Sequence, residues 1–446
     1  MSRFVFLFSK QHHHRLWSLA IPMILSNISV PLLGLIDTAM VGHLSAAHYL
    51  AAVALGSTII TLISWLLGFL RMATTGLTAQ ALGKQDPQVQ CQYLMQASFI
   101  AITLGLLLVT LQQPIIDASM WLANTSEQVE LYCRQYVGIR IWSLPIVLMN
   151  LVMLGWLLGR RLPKVTMWQL IIANSVNIIL DAWFILGLGW QVKGAAWASV
   201  LADFSAFLIA FYFTKQQLRQ LGFWQHNKLV YLIFQKGYQQ LISLNANIFI
   251  RSLCLQSTFA FMTFYAAGIN AVTLAANAVL LNILMLISYG LDGIAYYAEV
   301  EVGQHYGSKN EAALKQSVFF SWFWSGIIAV GFTLLFGLSG ERLISMLTDI
   351  SEVITAANEF LPWLILLPLW SFSCYLFDGV YIGAAKGNVM RNSMLFSTGL
   401  FFILWFVIQA WGNHALWAAL SVFMLSRSAT LAGHFWLYLR QQSSTL

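Results

Sequence analysis

Apolar stretches long enough to cross a lipid bilayer recur twelve times along this 446-residue chain, with little but short polar connectors between them. They fall at 16–41, 51–75, 93–114, 136–158, 165–187 and 195–214, then at 239–264, 274–298, 316–339, 358–382, 393–411 and 416–438. A transmembrane helix takes about 20 residues, so the expected fold is an all-α polytopic membrane protein of 12 transmembrane helices. Charged residues make up 9% of the chain, against about 25% in soluble domains, too few to cover a surface facing water. With 30 Phe, 18 Trp and only 8 Pro, disorder is excluded. The short alternating segments of an outer-membrane barrel are absent.

The charges that remain are unevenly placed. If the N-terminus is cytoplasmic, sixteen of the 23 Lys and Arg fall on the cytoplasmic side, including Arg15, Lys84, Arg160, Arg161, Lys215 and Lys386. The opposite side receives Arg134, Arg140, Lys193 and Arg342 among seven acids. Basic residues gather in cytoplasmic loops, so both termini are expected inside. That bias also explains the net charge of +7, and no nucleic-acid partner is expected. The first apolar span lacks a small-residue cleavage site and is expected to be retained. Cys91, Cys133, Cys254 and Cys374 are scattered, with no CxxC pair and no His at ligand spacing, so neither a disulfide framework nor a metal site is expected. His12, His13 and His14 read as polar residues at the cytoplasmic edge.

The chain repeats itself at a period near 224 residues. Gln80-Ala-Leu-Gly83-Lys84 after span 2 answers Gln304-His-Tyr-Gly307-Ser-Lys309 after span 8, and Gly155 and Gly159 answer Gly379 and Gly383. Ala51, Ala52 and Ala54 pair with Ala275, Ala276 and Ala278, and Ala195-Ala-Trp197-Ala with Ala415-Leu-Trp417-Ala. Six spans per unit is an even number, so the halves enter the membrane in the same sense, as two six-helix bundles related by a pseudo-twofold axis along its normal. The expected limits are an N-terminal lobe at 1–214, a cytoplasmic linker at 215–238 and a C-terminal lobe at 239–446. Two such lobes predict a cavity open alternately to either side. No Walker A loop, filter motif or large soluble domain is present, so the chain is no enzyme and an ion or substrate gradient supplies the energy.

Polar groups within spans are costly and mark function. Span 1 carries Pro22, Asn27, Pro31 and Asp37; proline bends a helix, and protonation of Asp37 would permit a different packing of it. Span 5 carries Asn174, Asn177 and Asp181 at helical spacing on one face, a polar stripe suited to a proton or cation, which Ser199 and Asp203 in span 6 extend. In the second half, Asp292 and Glu299 lie two turns apart, near Glu301; Asp378 sits in span 10, and the deep Arg251 needs a carboxylate, with Glu299 and Asp378 as candidates. Arg71 is expected to snorkel to the cytoplasmic edge, and Arg427 has no evident partner in the sequence. Carboxylates among aromatic residues favour an organic cation. Asn27, Asp203, Tyr265, Tyr296 and Tyr297 are the candidate substrate contacts.

Ile21-Pro22 followed by Asp37-Thr38-Ala39-Met40-Val41-Gly42-His43-Leu44, with Asp378-Gly379-Val-Tyr-Ile-Gly383-Ala-Ala-Lys386-Gly387, resembles the multidrug and toxic compound extrusion (MATE) family, and within it the bacterial DNA-damage-inducible branch. The resemblance covers essentially the whole chain. It implies a V-shaped pair of bundles that exports cationic or amphipathic drugs in exchange for H+ or Na+, without a cofactor. It also implies that Asp37, Asn177 and Asp181, with Asn174 and Ser199 nearby, form the cation site, and that Pro22 is where span 1 bends. Asp378 matches a second-lobe acid of the family, but 245–256 has no matching glutamate, which favours H+ over Na+. Membrane lipids are the expected surroundings and a functional monomer the expected state. The alternative class is a lipid or lipid-linked sugar flippase, whose cavity would need several cationic residues for pyrophosphate.

Overall fold

The computed structural model describes residues 10–42, 47–123, 125–223, 229–235 and 237–443; side chains are described within these except at 30–42, 47, 229–231 and 440–443. No strand occurs among the described residues. Helix α1 runs over Lys10–Gly42 and continues through Pro22. Eleven further helices are long and apolar enough to cross a membrane. In the first half they are α2 (His48–Gly83), α3 (Pro87–Thr110), α4 (Glu127–Gly159), α5 (Pro163–Gly187) and α6 (Gln191–Gln220). In the second half they are α7 (Tyr238–Ile269), α8 (Ala271–Gly307), α9 (Glu311–Leu347), α10 (Ser351–Gly383), α11 (Gly387–Trp411) and α12 (Asn413–Leu439).

Several helices outrun the spans expected from hydropathy, because caps rather than lipid contact set their ends. Asn270 Oδ1 accepts the Thr273 N–H at 2.7 Å to start α8, which then continues through Glu299 and Glu301 to Gly307. Two helices are broken: α2 at the turn around Leu67 and Gly68, and α4 by a 3-10 turn at Ile141–Ser143 ahead of Pro145. The last turn of α5, Ala182–Gly187, is π-helical.

Packing divides the chain into two units, Pro22–Ile242, and Ser243–Leu446 together with Met1–Ile21. One division falls inside α1 at Pro22 and the other between Ile242 and Ser243. Within Pro22–Ile242, α4 packs on the lower half of α2 and on α3 and α6, while α5 pairs with α6. In the other unit α10 packs on α8, α9 and α12, and α11 pairs with α12. The same helices meet six positions later.

The repeat is kept at atomic detail. A Cβ on Gly155 would meet the Arg71 carbonyl oxygen, and one on Gly159 the Thr75 oxygen. Residues 224 positions later repeat both contacts, Gly379 against Ala295 and Gly383 against Glu299. Small residues let helix backbones approach closely where lipid offers no hydrophobic drive between helices. The turns leaving α2 and α8 also match: Gln85 and Lys309 both have φ 55°. Asp86 and Asn310 then cap the next helix, each accepting a backbone N–H at 3.1 Å, from Val89 and Ala313.

Polar contacts tie down the remaining edges. The segment between α6 and α7 holds a short helix, Leu229–Phe234, and lies on α3, where Gln96 Nε2 donates to the Gln235 carbonyl at 3.0 Å. The start of α1 lies on α8 and α9. Arg15 Nε pairs with Glu301 Oε1 at 2.9 Å, and His305 Nε2 lies 3.3 Å from the other oxygen. The His13 ring packs on Phe320 and Trp324, and Trp17 on Trp324. His12 and His13 therefore pack on aromatic rings, while His14 is exposed. Outside the spans, burial lowers the proton affinity of Arg160 and Lys386; their charges lie over Trp156 at 5.0 Å and Tyr438 at 4.2 Å.

Gly155→Ala and Gly379→Ala should each lower the thermal midpoint in detergent, by the equivalent of about 1–3 kcal/mol for overpacking. Gly399→Ala, whose Cβ meets nothing within 4 Å, serves as the neutral control. Equal midpoints for all three variants would show that the glycine contacts do not set the packing.

Candidate functional site

Within Pro22–Ile242 a cavity of about 440 Å³ opens between α2, α4, α5 and α6, inside the range of about 300–1,000 Å³ typical of small-molecule sites. Asn174, Asn177, Asp181, Ser199 and Asp203 all line it. The span 5 stripe thus faces a space large enough for a guest. Asn177 and Asp181 are each 2% exposed. The Nδ2 of Asn177 is buried without a hydrogen-bond partner among the described residues. Asp181 is the last α-helical residue before the π-helical turn, a feature frequent at functional sites.

Helix α1 runs alongside α5 on this stripe. Thr166 Oγ1 lies 3.3 Å from Met23 Sδ, and Asn174 Nδ2 donates to Ser29 Oγ at 2.9 Å. The side chain of Asp37 lies outside the described residues. Ser199 donates its hydroxyl to the Ala195 carbonyl at 3.1 Å, back-bonded along its own helix.

Asp203 lines the cavity beside Arg140, which the sequence counts among the basic residues of the outer side. Arg140 Nη1 lies 2.5 Å from Asp203 Oδ2, and the Ser143 hydroxyl donates to the same oxygen at 3.1 Å. Asn150 Nδ2 donates to the Asp203 carbonyl at 2.9 Å, and Gln169 Nε2 reaches Asn150 Oδ1 at 3.4 Å. Arg140, Asn150 and Gln169 are cavity residues that the sequence reading missed. A signal existed: Asp203 lies deep in an apolar span and demands a cation, and Arg140 lies within the fourth span.

The second unit arranges its charges differently. Asp378 Oδ2 accepts from Arg251 Nη2 and, at 2.8 Å, from Arg427 Nη2. All three side chains are at most 9% exposed, and the Arg427 guanidinium also lies 5.4 Å from the Phe423 ring. The acid of α10 therefore serves as counter-ion to two guanidiniums, the second of which had no evident partner in the sequence. Glu299, the other candidate for Arg251, is buried in α8. Asp292 is half-buried in the same helix. Arg71 is buried within the first unit at 8% exposure, where the sequence had it snorkelling.

The aromatic candidates do not line the cavity of the first unit. Tyr265 stacks on Phe261 and meets Trp405 edge-on, Tyr297 is buried in the core of the second unit, and Tyr296 is half-buried. Asn27, half-buried in α1, is not among the cavity residues either. The four cysteines are free, and no group of three His, Cys, Asp or Glu suited to a metal occurs among the described residues.

Paired multi-helix units with buried acids and an internal cavity define a multi-pass membrane transporter. The MatE family profile matches this chain twice, over residues 22–183 and 248–408, so each half matches separately. The chain belongs to the MatE family. It is 40% identical to DNA damage-inducible protein F of Escherichia coli (strain K12) over 417 residues, covering 94% of this chain and 90% of that one. It is 25% identical to a probable multidrug resistance protein NorM of Bacillus thuringiensis over 363 residues, covering 78% of this chain and 77% of that one. Among solved structures, the outward-facing conformation of a multidrug resistance MATE family transporter superposes with a TM-score of 0.80 at 20% identity, covering 99% and 98% of the two chains.

Asp378→Asn should destabilise the protein by about 3–5 kcal/mol, since removing one member of a buried ion cluster leaves uncompensated charge. The apolar triple replacement Arg251→Met, Asp378→Leu, Arg427→Met should recover most of that loss. Thermal midpoints in detergent check both, and an unshifted midpoint for Asp378→Asn would contradict the buried pairing.

Proposed function

We propose that this protein is a secondary active efflux antiporter of the bacterial inner membrane that exports cationic and amphipathic compounds in exchange for H+ by alternating access. The observation that carries this reading is the cavity of the first unit with Asn177 and Asp181 buried on one face of α5. A buried carboxylate able to exchange a proton for an organic cation is the minimum such a cycle requires.

Helical register supports a role for Asp37 beside Asp181. From the contact between Ser29 and Asn174, Asp37 lies about 12 Å further along α1 and Asp181 about 10 Å further along α5 at 1.5 Å per residue. At that spacing the two residues lie nearly equal distances beyond the contact between the helices. Pro22 is the natural flexure of α1, and the packing division of the chain falls there. The acid of α10, Asp378, is occupied by two guanidiniums, which argues for coupling in the first unit, and the absence of a glutamate in 245–256 favours H+ over Na+. The same pairing withdraws Arg251 and Arg427 from any pyrophosphate site, which leaves Arg140 as the cation lining the cavity, short of the several that the flippase alternative needs. We further propose cytoplasmic termini, from the distribution of basic residues, a functional monomer embedded in lipid, and lobe limits near 214 and 239 for the membrane-embedded bundles.

Proteoliposomes with separately imposed pH and Na+ gradients test the reading. A pH gradient alone should drive export of a cationic dye, and Asp181→Asn or Asp37→Asn should reduce that export at least tenfold while leaving the thermal midpoint close to wild type. Export driven by Na+ alone, or undiminished in both variants, would overturn the coupling assignment.

A further inference from the structure

The cavity of the first unit carries a fixed positive charge of its own, which a site selecting only for cations does not need. Arg140 lines it together with Asp181 and Asp203. Its Nη1 serves Asp203 at 2.5 Å and Ser143 Oγ at 3.2 Å, while its Nε is buried with no hydrogen-bond partner among the described residues. A guanidinium offers five N–H donors in a planar fork, so donor capacity remains after the contacts with Asp203, Ser143 and Tyr136. The group is also held in place. The Ser143 hydroxyl, fully buried, bonds both the Arg140 carbonyl and the Asp203 carboxylate. Apolar walls from Val53, Leu151 and Leu154 complete the space.

The geometry points to Arg140 as a specificity-determining residue that reads a carboxylate on the guest, so that the cavity takes dipolar amphiphiles, ammonium toward Asp181 and carboxylate toward Arg140. This inference rests on the transport reading and names its substrate class more closely. An arginine poised in an apolar cavity recognises a planar carboxylate through paired N–H donors, which a point charge does not reproduce. Asp203 is then the counter-ion that keeps the guanidinium stable while the cavity is empty, and not itself the acid that meets the guest. The competing role for Arg140 is purely structural, as partner to Asp203.

A matched pair of dyes separates these roles: rhodamine 19, with a free carboxylate, and its ethyl ester rhodamine 6G, a simple cation. Binding of each to the full-length protein in detergent is read by fluorescence anisotropy, at a pH where the acid is ionised. Arg140→Gln should lower the ratio of acid affinity to ester affinity at least tenfold. Arg140→Lys keeps the charge opposite Asp203 but loses the fork, and should lower the ratio too. The charge-neutral double variant Arg140→Gln, Asp203→Asn should keep the low ratio, because the lost element is the guanidinium and not the balance with Asp203. An unchanged ratio in Arg140→Gln, or a wild-type ratio in the double variant, overturns the proposal. Failure of the transport reading is separately visible as a wild-type protein that does not export the ester from proteoliposomes.

Discussion

Close approach of helix backbones at paired glycines is the contact on which each unit is built. Where Gly155 and Gly159 of α4 meet α2, and Gly379 and Gly383 of α10 meet α8, carbonyl oxygens occupy the space a side chain would need. In a bilayer the lipid tails are as apolar as leucine, so helices gain little from burying apolar surface on one another. They gain from dense packing, and the absence of a Cβ permits it. With α2 and α4, or α8 and α10, locked in this way, the pairs α5–α6 and α11–α12 pack around the scaffold. In the first unit the space left beside that scaffold is the cavity.

The two units use their buried charges in opposite ways. In the second, Asp378 is saturated by two guanidiniums, and neighbouring polar contacts stitch the same helices together. Ser428 bonds across from α12 to the Trp370 carbonyl and the Cys374 N–H of α10. Asn277, Asn413 and Trp417 form a further buried network between α8 and α12. In the first unit the polar groups instead surround open volume, and Gln169 Oε1 and Asn177 Nδ2 keep unused hydrogen-bonding capacity. Satisfied polar networks rigidify, whereas incompletely satisfied ones leave room for a guest. One fold thus occurs twice, with polar groups around open volume in one copy and around a closed ion cluster in the other.

Much of this was legible in the sequence because membrane proteins write their constraints in hydropathy and in rare charges. The helices and the repeat follow from apolar runs and from glycines spaced 224 residues apart, and the face shared by Asn174, Asn177 and Asp181 follows from helical periodicity. What escaped was pairing between distant segments. Arg140 counts toward the outer side because it falls near the start of the apolar span 136–158, although the helix begins at Glu127. The 3-10 turn that folds Ser143 back toward it leaves no periodic trace. Arg427 lacked a partner for the same reason: Asp378 is 49 residues earlier and on another helix. The start of α8 was missed because an asparagine cap, not hydropathy, decides it.

The π-helical turn that follows Asp181 has an evolutionary consequence. Such a turn holds one residue more than the α-helix around it, so it is a seam at which the chain can gain or lose a single residue. Deleting one residue between Ala182 and Gly187 would restore regular α-helix and turn everything beyond it by about 100° about the axis. Asp181 and the stripe before it would keep their facing, while the connector into α6 would be re-aimed as a block. Members of this family that differ in length at this seam can therefore present different α6 side chains to an unchanged α5 stripe, and so vary their guests without rebuilding the acid.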